Sequence, residues 1–169
     1  MGHYRKNVLT LFLTNQCNCA CKYCYLGEHH AHISKRTIDL DFARIGIQDF
    51  FSNTNSRSIR FFGNGEPTLE LDLMKEIYII AEELAENHLV SEIQTNGVFG
   101  KDVCEWLSDH ITTIWISCDG SPVVQDYYRT LKNGRPTSGI VTNSISTLVR
   151  MGHKRIGVKR IGIRNTGIQ

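Results

Sequence analysis

The sequence predicts an α/β fold in which parallel strands alternate with helices. Short β-favouring runs alternate with longer segments whose apolar residues recur at helical spacing, and clusters of Gly, Asn, Asp and Pro punctuate the joins. The resulting order, βαβαβαβαβ, is the pattern of parallel strands joined by right-handed crossovers.

In chain order, the first strand is expected within residues 7–14, where Val8, Leu11 and Leu13 stand among β-favouring neighbours. A cysteine-rich loop follows. A helix is predicted over residues 37–52 from the spacing of Ile38, Phe42 and Ile45. A short strand at 58–62 runs into the turn signal Gly63-Asn64-Gly65-Glu66-Pro67. The clearest helix spans 72–87, with Leu73, Ile77, Ile80, Ala81 and Leu84 on one face and Asp72 and Glu76 in the first turn. Next come a strand at 90–94, a break at Thr95-Asn96-Gly97 and a helix near 102–109. A strand at 113–118 alternates Ile114 and Ile116 with polar or aromatic residues and ends at Asp119-Gly120-Ser121-Pro122. A helix over 140–150 and a last strand within 155–163 complete the pattern.

At 169 residues, with 41% hydrophobic and 21% charged, the chain suits one domain with an ordinary core, and general disorder is excluded. Its apolar runs, such as residues 8–13, fall far short of the roughly 18–20 residues of a membrane span. No secretory-signal pattern opens it, so a cytoplasmic location is expected. The net charge of +2 conceals an asymmetry: residues 1–126 carry ten Lys/Arg against all 17 Asp/Glu, and residues 127–169 carry nine Lys/Arg and no acid. A basic nucleic-acid arm would also need aromatic or motif support, which is absent, so nucleic acid is not an expected partner. The favoured explanation is a truncated or altered C-terminus. There Lys154-Arg155-Ile156-Gly157 returns as Lys159-Arg160-Ile161-Gly162, and residues 151–169 form an atypical basic tail to a single domain over 1–169.

The six cysteines stand at 17, 19, 21, 24, 104 and 118. Cys104 and Cys118 lie in apolar runs and read as small buried hydrophobes. The first four fall within eight residues and contain the spacing Cys-x3-Cys-x2-Cys at Cys17, Cys21 and Cys24. Three thiolates on one tight loop can each hold a different iron of a cubane cluster and leave the fourth iron open to another molecule. Two other readings stand beside this one. Cys19 could complete a structural zinc site, although the alternating spacing is unlike paired zinc knuckles. Cys21-Lys22-Tyr23-Cys24 could be a thioredoxin-type dithiol, although that leaves Cys17 unexplained. His29, His30 and His32 sit in a polar loop and read as solvated.

With these residues in view, the sequence resembles the radical S-adenosylmethionine (SAM) enzymes. Cys17-x3-Cys21-Lys22-Tyr23-Cys24 looks like their signature, including the aromatic residue before the last cysteine, and Gly63-Asn64-Gly65-Glu66-Pro67 is similar to their Gly-Gly-Glu-Pro loop, with Asn64 where glycine is usual. Gln94-Thr95-Asn96-Gly97, Ser117-Cys118-Asp119-Gly120 and Asp126-Tyr127-Tyr128-Arg129 resemble segments of the anaerobic sulfatase-maturating and related SPASM-type peptide-modifying subgroup. The resemblance covers roughly residues 8–150. Independently of it, the cysteine loop and the segments at 63–67, 94–97 and 117–120 lie at the ends of the first four predicted strands. The carboxyl ends of parallel strands are where α/β folds gather their chemistry.

The resemblance implies a partial parallel (β/α) barrel of about five strands, open on one side. It implies that Cys17, Cys21 and Cys24 ligate a [4Fe-4S] cluster, with Cys19 a bystander, and that SAM is the second cofactor. Tyr23 would pack on the adenine, and the Gly63-Asn64-Gly65-Glu66 turn would receive the methionine amino group. Ser117 would meet the ribose and Arg129 the methionine carboxylate, with Asp119 chiefly a turn former. The implied reaction is reductive cleavage of SAM to a 5′-deoxyadenosyl radical that abstracts hydrogen, possibly from a peptide or protein. A low-potential donor such as flavodoxin or ferredoxin is the expected electron source. The competing expectation is a non-catalytic iron–sulfur or zinc-binding fragment. No cysteine follows Cys118 to hold the auxiliary clusters of the peptide modifiers.

Overall fold

A computed structural model of the chain describes residues 7–26 and 34–159. Its elements run β1 (Leu9–Leu11), β2 (Cys19–Cys21), α1 (Leu40–Asn53), β3 (Ser58–Phe61), a 3-10 turn (Pro67–Glu70), α2 (Leu71–Leu84), β4 (Val90–Thr95), α3 (Lys101–His110), β5 (Thr113–Ser117), α4 (Pro122–Tyr128), β6 (Arg129–Leu131), α5 (Ser138–Arg150) and β7 (Ile156–Lys159). Five strands form one parallel sheet in the order β1-β3-β4-β5-β7, and β2 pairs antiparallel with β6 in a separate ribbon. Because the order follows the chain, crossovers of one hand place their helices on one side of the sheet. The fold is an α/β partial barrel, as expected. No helix among the described residues is long and apolar enough to cross a membrane.

Strand alternation divides the sheet into two faces. Leu11, Phe61, Ile93 and Ile114 stand in register across four strands, and all four are buried. With Ile59 and Ile116 they pack against Ile47, Met74, Ile77, Leu107 and Leu148 from the helices. Burial of each such side chain stabilises the fold by about 1.5–3 kcal/mol. The intervening residues point to the inner face of the barrel; Arg60, Gln94, Trp115 and Ser117 among them are partly buried and Glu92 is buried.

Two expectations about packing need correction. Phe42 and Ile45 do not face the core: they are 69% and 65% exposed, and α1 turns Ala43, Ile47 and Phe51 inward instead. The helix starts at Leu40, capped by Asp39 Oδ1 accepting from the Phe42 N–H at 2.9 Å, so Ile38 lies before it and cannot anchor its periodicity. Cys118 is only partly buried, at the rim beyond β5, whereas Cys104 lies in the core. Part of the basic tail belongs to the main sheet: β7 pairs with β5 from Ile114↔Ile156 to Ser117↔Lys159. Residues 160–169 and the histidines at 29, 30 and 32 lie outside the described residues.

Candidate active site

The chain beyond β1 is held from three sides. The Asn15 side chain bonds the backbone at Ser34 and Arg36, at 2.9 Å each. The Gln16 carbonyl accepts the Glu66 N–H at 2.7 Å. The cysteine segment then forms β2, whose register partner for Cys21 is Arg129 of β6; Lys22 N–H donates to the Tyr128 carbonyl and Lys132 N–H to the Asn18 carbonyl. The cysteines therefore ride on a short ribbon rather than a loose loop. Cys24 N–H closes a turn on the Cys21 carbonyl at 3.0 Å.

Hydrogen bonds converge on the sulfurs. Cys17 Sγ accepts from the Cys19 N–H at 3.4 Å and from Asn96 Nδ2 at 3.6 Å. Cys19 is buried in the same segment. Its interaction with its neighbours brings the Cys17 thiol down to about 7 and lowers Cys21, which the Arg129 charge lowers further. Cys19 itself is pushed up by the same contacts and by burial. The shifts at Cys17 and Cys21 both run in the direction of the thiolate, the form that binds metal.

The turn after β3 is built around glycine. A Cβ on Gly65 would run into the Gln16 carbonyl oxygen, and one on Gly63 (φ +155°) would meet the Phe12 ring at 2.6 Å. Asn64 holds the turn to the cysteine segment by accepting the Tyr25 hydroxyl at 2.6 Å. Glu66 is 2% exposed, and its carboxylate is engaged within the protein. Oε1 accepts from Thr95 Oγ1 at 2.6 Å and from the Thr68 hydroxyl and N–H, while Oε2 accepts the Asn96 N–H at 2.7 Å. Burial pushes this carboxyl up and those donors pull it back. Glu66 fastens the turn after β3 to the end of β4.

On the far side, Arg129 is 6% exposed, not the surface arginine that is commoner for its type. Its Nη1 donates to Tyr23 Oη at 2.7 Å, and the Tyr23 hydroxyl donates to Asp119 Oδ2 at 2.6 Å. Burial and the Asp119 bond push the Tyr23 phenol above its ordinary range. Asp119 is therefore more than a turn former. Gln125 of α4 holds its N–H at 2.9 Å, and its Oδ1 is buried with no hydrogen-bond partner among the described residues.

All ten residues singled out from the sequence line one hollow of about 230 Å³: Cys17, Cys21, Tyr23 and Cys24, then Gly63, Asn64, Gly65 and Glu66, with Ser117 and Arg129. Tyr25, Phe62, Gln94, Thr95 and Asn96 complete the lining. A larger groove of about 540 Å³ between β1 and α1 shares only Asn64 with it and contains none of the cysteines. Size does not pick the site; the convergence of polar groups does. Sequence reasoning gave no role to Asn96 or Asn18, which bond each other at 2.6 Å across 78 residues while Asn18 also reaches the Val98 carbonyl. The amide residues beside the cysteines and at the β4 end were the available signal.

Among the described residues no three His, Cys, Asp or Glu side chains converge to hold a single metal ion. The donor set suits a larger group instead: three cysteines around a hollow that the glycine turn and Arg129 also line.

Comparison with known proteins agrees with this arrangement. The family model described as Radical SAM superfamily matches residues 11–165. A serine-type anaerobic sulfatase-maturating enzyme of Klebsiella aerogenes is 30% identical over 141 residues, 78% of this chain and 34% of that protein. A GTP 3′,8-cyclase of Pasteurella multocida is 33% identical over 115 residues, 66% of this chain and 32% of that protein. The chain thus spans about a third of the length of these two curated relatives. The solved structure of native anSMEcpe with bound AdoMet superposes with a TM-score of 0.77 at 19% identity, over 90% of this chain and 43% of that one, a likeness of fold. The chain belongs to the radical SAM superfamily, whose cofactors are a [4Fe-4S] cluster and SAM.

Proposed function

We propose that this chain forms the core of a radical SAM enzyme that abstracts hydrogen from a peptide or protein substrate. The observation that carries the reading is the gathering of three cysteines, a glycine turn, Ser117 and Arg129 around one hollow at the carboxyl ends of the strands. Cys17, Cys21 and Cys24 would hold a [4Fe-4S] cluster as thiolates, and the hollow would take SAM. When bound, these groups supply one-electron cleavage of SAM to methionine and a 5′-deoxyadenosyl radical.

The protein's part is positioning and electrostatics. The Cys19 and Asn96 hydrogen bonds to the Cys17 sulfur are levers on cluster potential. Gly63 and Gly65 let the turn pack against Phe12 and Gln16, which sets its backbone on the wall of the hollow where the methionine amino group would bind. Arg129, with one N–H committed to Tyr23, has further donors for the methionine carboxylate. Ser117 serves the ribose, and Asp119 Oδ1 is an acceptor of the kind a ribose hydroxyl satisfies. Tyr23, fixed between Arg129 and Asp119, offers its ring to the adenine. A low-potential flavodoxin or ferredoxin is the proposed electron source. The sulfatase-maturating relative supports the peptide or protein substrate class.

The test is anaerobic reconstitution followed by iron and sulfide quantification and reduction in the presence of SAM. Four irons and four sulfides per chain, with 5′-deoxyadenosine release that Cys17→Ala abolishes, is the expected result. Stoichiometric zinc without acid-labile sulfide in anaerobically purified protein would replace this reading with that of a non-catalytic metal-binding module.

A further inference from the structure

The lining of the hollow continues onto the inner face of the sheet through residues the cofactor reading leaves without a role. Lys159, near the end of β7, is the register partner of Ser117. Its Nζ donates to Gln94 Oε1 at 2.8 Å and stands 5.0 Å from the centre of the Trp115 ring. Trp115 in turn lies against Gly157, where a Cβ would run into the indole. A lysine side chain carries large rotamer entropy and ordinarily extends into water; here an amide oxygen and an aromatic face hold it against the wall.

A second cation lies on the same face. Arg60 of β3 donates to Glu92 Oε2 through Nε at 3.1 Å and Nη2 at 2.9 Å. Burial lowers the Lys159 ammonium, and the Arg60 charge lowers it further against the opposing pull of Glu92. Glu92, which pairs with Arg60, is the carboxylate whose charge reaches Lys159. Lys159 itself is exposed and bonded to an amide oxygen, so its ammonium keeps N–H donors for an arriving anion. Gln94 lines the hollow, so this wall and the proposed SAM site are contiguous.

We infer that the inner wall formed by Gln94, Trp115 and Lys159 recognises an anionic group, a carboxylate or a phosphate, on the substrate, with Lys159 as its direct contact. The inference rests on the radical SAM reading for where the substrate stands, and it adds the substrate's charge. A peptide substrate would meet this wall with an acidic side chain or a terminal carboxylate; a phosphorylated substrate would meet it with the phosphate.

The test is calorimetric titration of the full chain, reconstituted anaerobically with SAM present, using inorganic diphosphate in one arm and glutarate in the other at fixed ionic strength. Wild type is expected to bind at least one of them. Lys159→Met weakens binding about tenfold or more, as expected for loss of a charge-assisted hydrogen bond. Lys159→Arg stays within about threefold because the charge remains, and Lys75→Met on exposed α2 serves as the unaffected control. Tighter diphosphate binding assigns the group as phosphate, and tighter glutarate binding as carboxylate. No heat with either anion at millimolar concentration, or unchanged binding in Lys159→Met, overturns the inference. Release of 5′-deoxyadenosine by the wild type, measured without added anion, reports on the cofactor reading separately. Release without anion binding sinks the wall alone; Lys159-dependent binding without release sinks the cofactor reading alone.

Discussion

The two faces of the five-stranded sheet are built from the same strands one residue out of step. Along β5, Ile114 and Ile116 are sealed against the helices, while Trp115 and Ser117, which alternate with them, are half-buried on the inner face. The helix side is a continuous apolar layer whose burial holds the fold together. The inner side and the rim above it carry charges, amides and thiols joined by hydrogen bonds around the hollow. The lesson is a separation of labour by strand alternation: substitutions one position apart are expected to fail in different assays.

The largest effect should come from the rim. Cys17→Ala is expected to reduce 5′-deoxyadenosine release at least ~100-fold and to change unfolding free energy by less than about 1 kcal/mol, since no core packing is lost. If stability collapsed in the cluster-free protein, the division would be wrong. On the other side, Ile114→Ala should cost about 2–5 kcal/mol in urea denaturation and leave SAM affinity of the folded fraction near wild type. Glu66→Gln sharpens the comparison because Glu66 lies where the two regions meet. An amide in place of Oε2 would face the Asn96 N–H donor to donor, so both stability, by about 1–3 kcal/mol, and SAM binding should fall together. A loss confined to one readout would show that the turn after β3 is not what couples them. The smallest effect is expected at Phe42→Ser on the outward side of α1, within about 0.5 kcal/mol by thermal unfolding.

Much of the helix side was legible because periodicity reports burial directly. The spacing of Ile77, Ile80 and Ala81 places α2 correctly, and Ile114 and Ile116 place β5. Periodicity misled at α1, where an apolar residue outside the helix set the phase. It was silent for β2 and β6, because three residues are too few to show a period. Helix α4 carries a signal in Pro122 at its first turn, but the same Asp-Gly-Ser-Pro run also fits the end of a strand. The rim was legible by a different route. Parallel strands end on the same side, so motifs that each follow a strand must meet, and the hollow gathers them. What stayed hidden were partnerships fixed only by the folded chain: Tyr23 with Asp119 across 96 residues, and Asn18 with Asn96.

The fit of Trp115 on Gly157 ties two positions that are 42 apart in sequence into one steric unit. Enlarging residue 157 by a single methyl would force the indole aside or pry β7 away from its neighbour, dragging Lys159 with it. Divergent descendants of this chain should therefore exchange bulk between the two sites in concert, a large side chain at 157 always accompanied by a smaller one at 115.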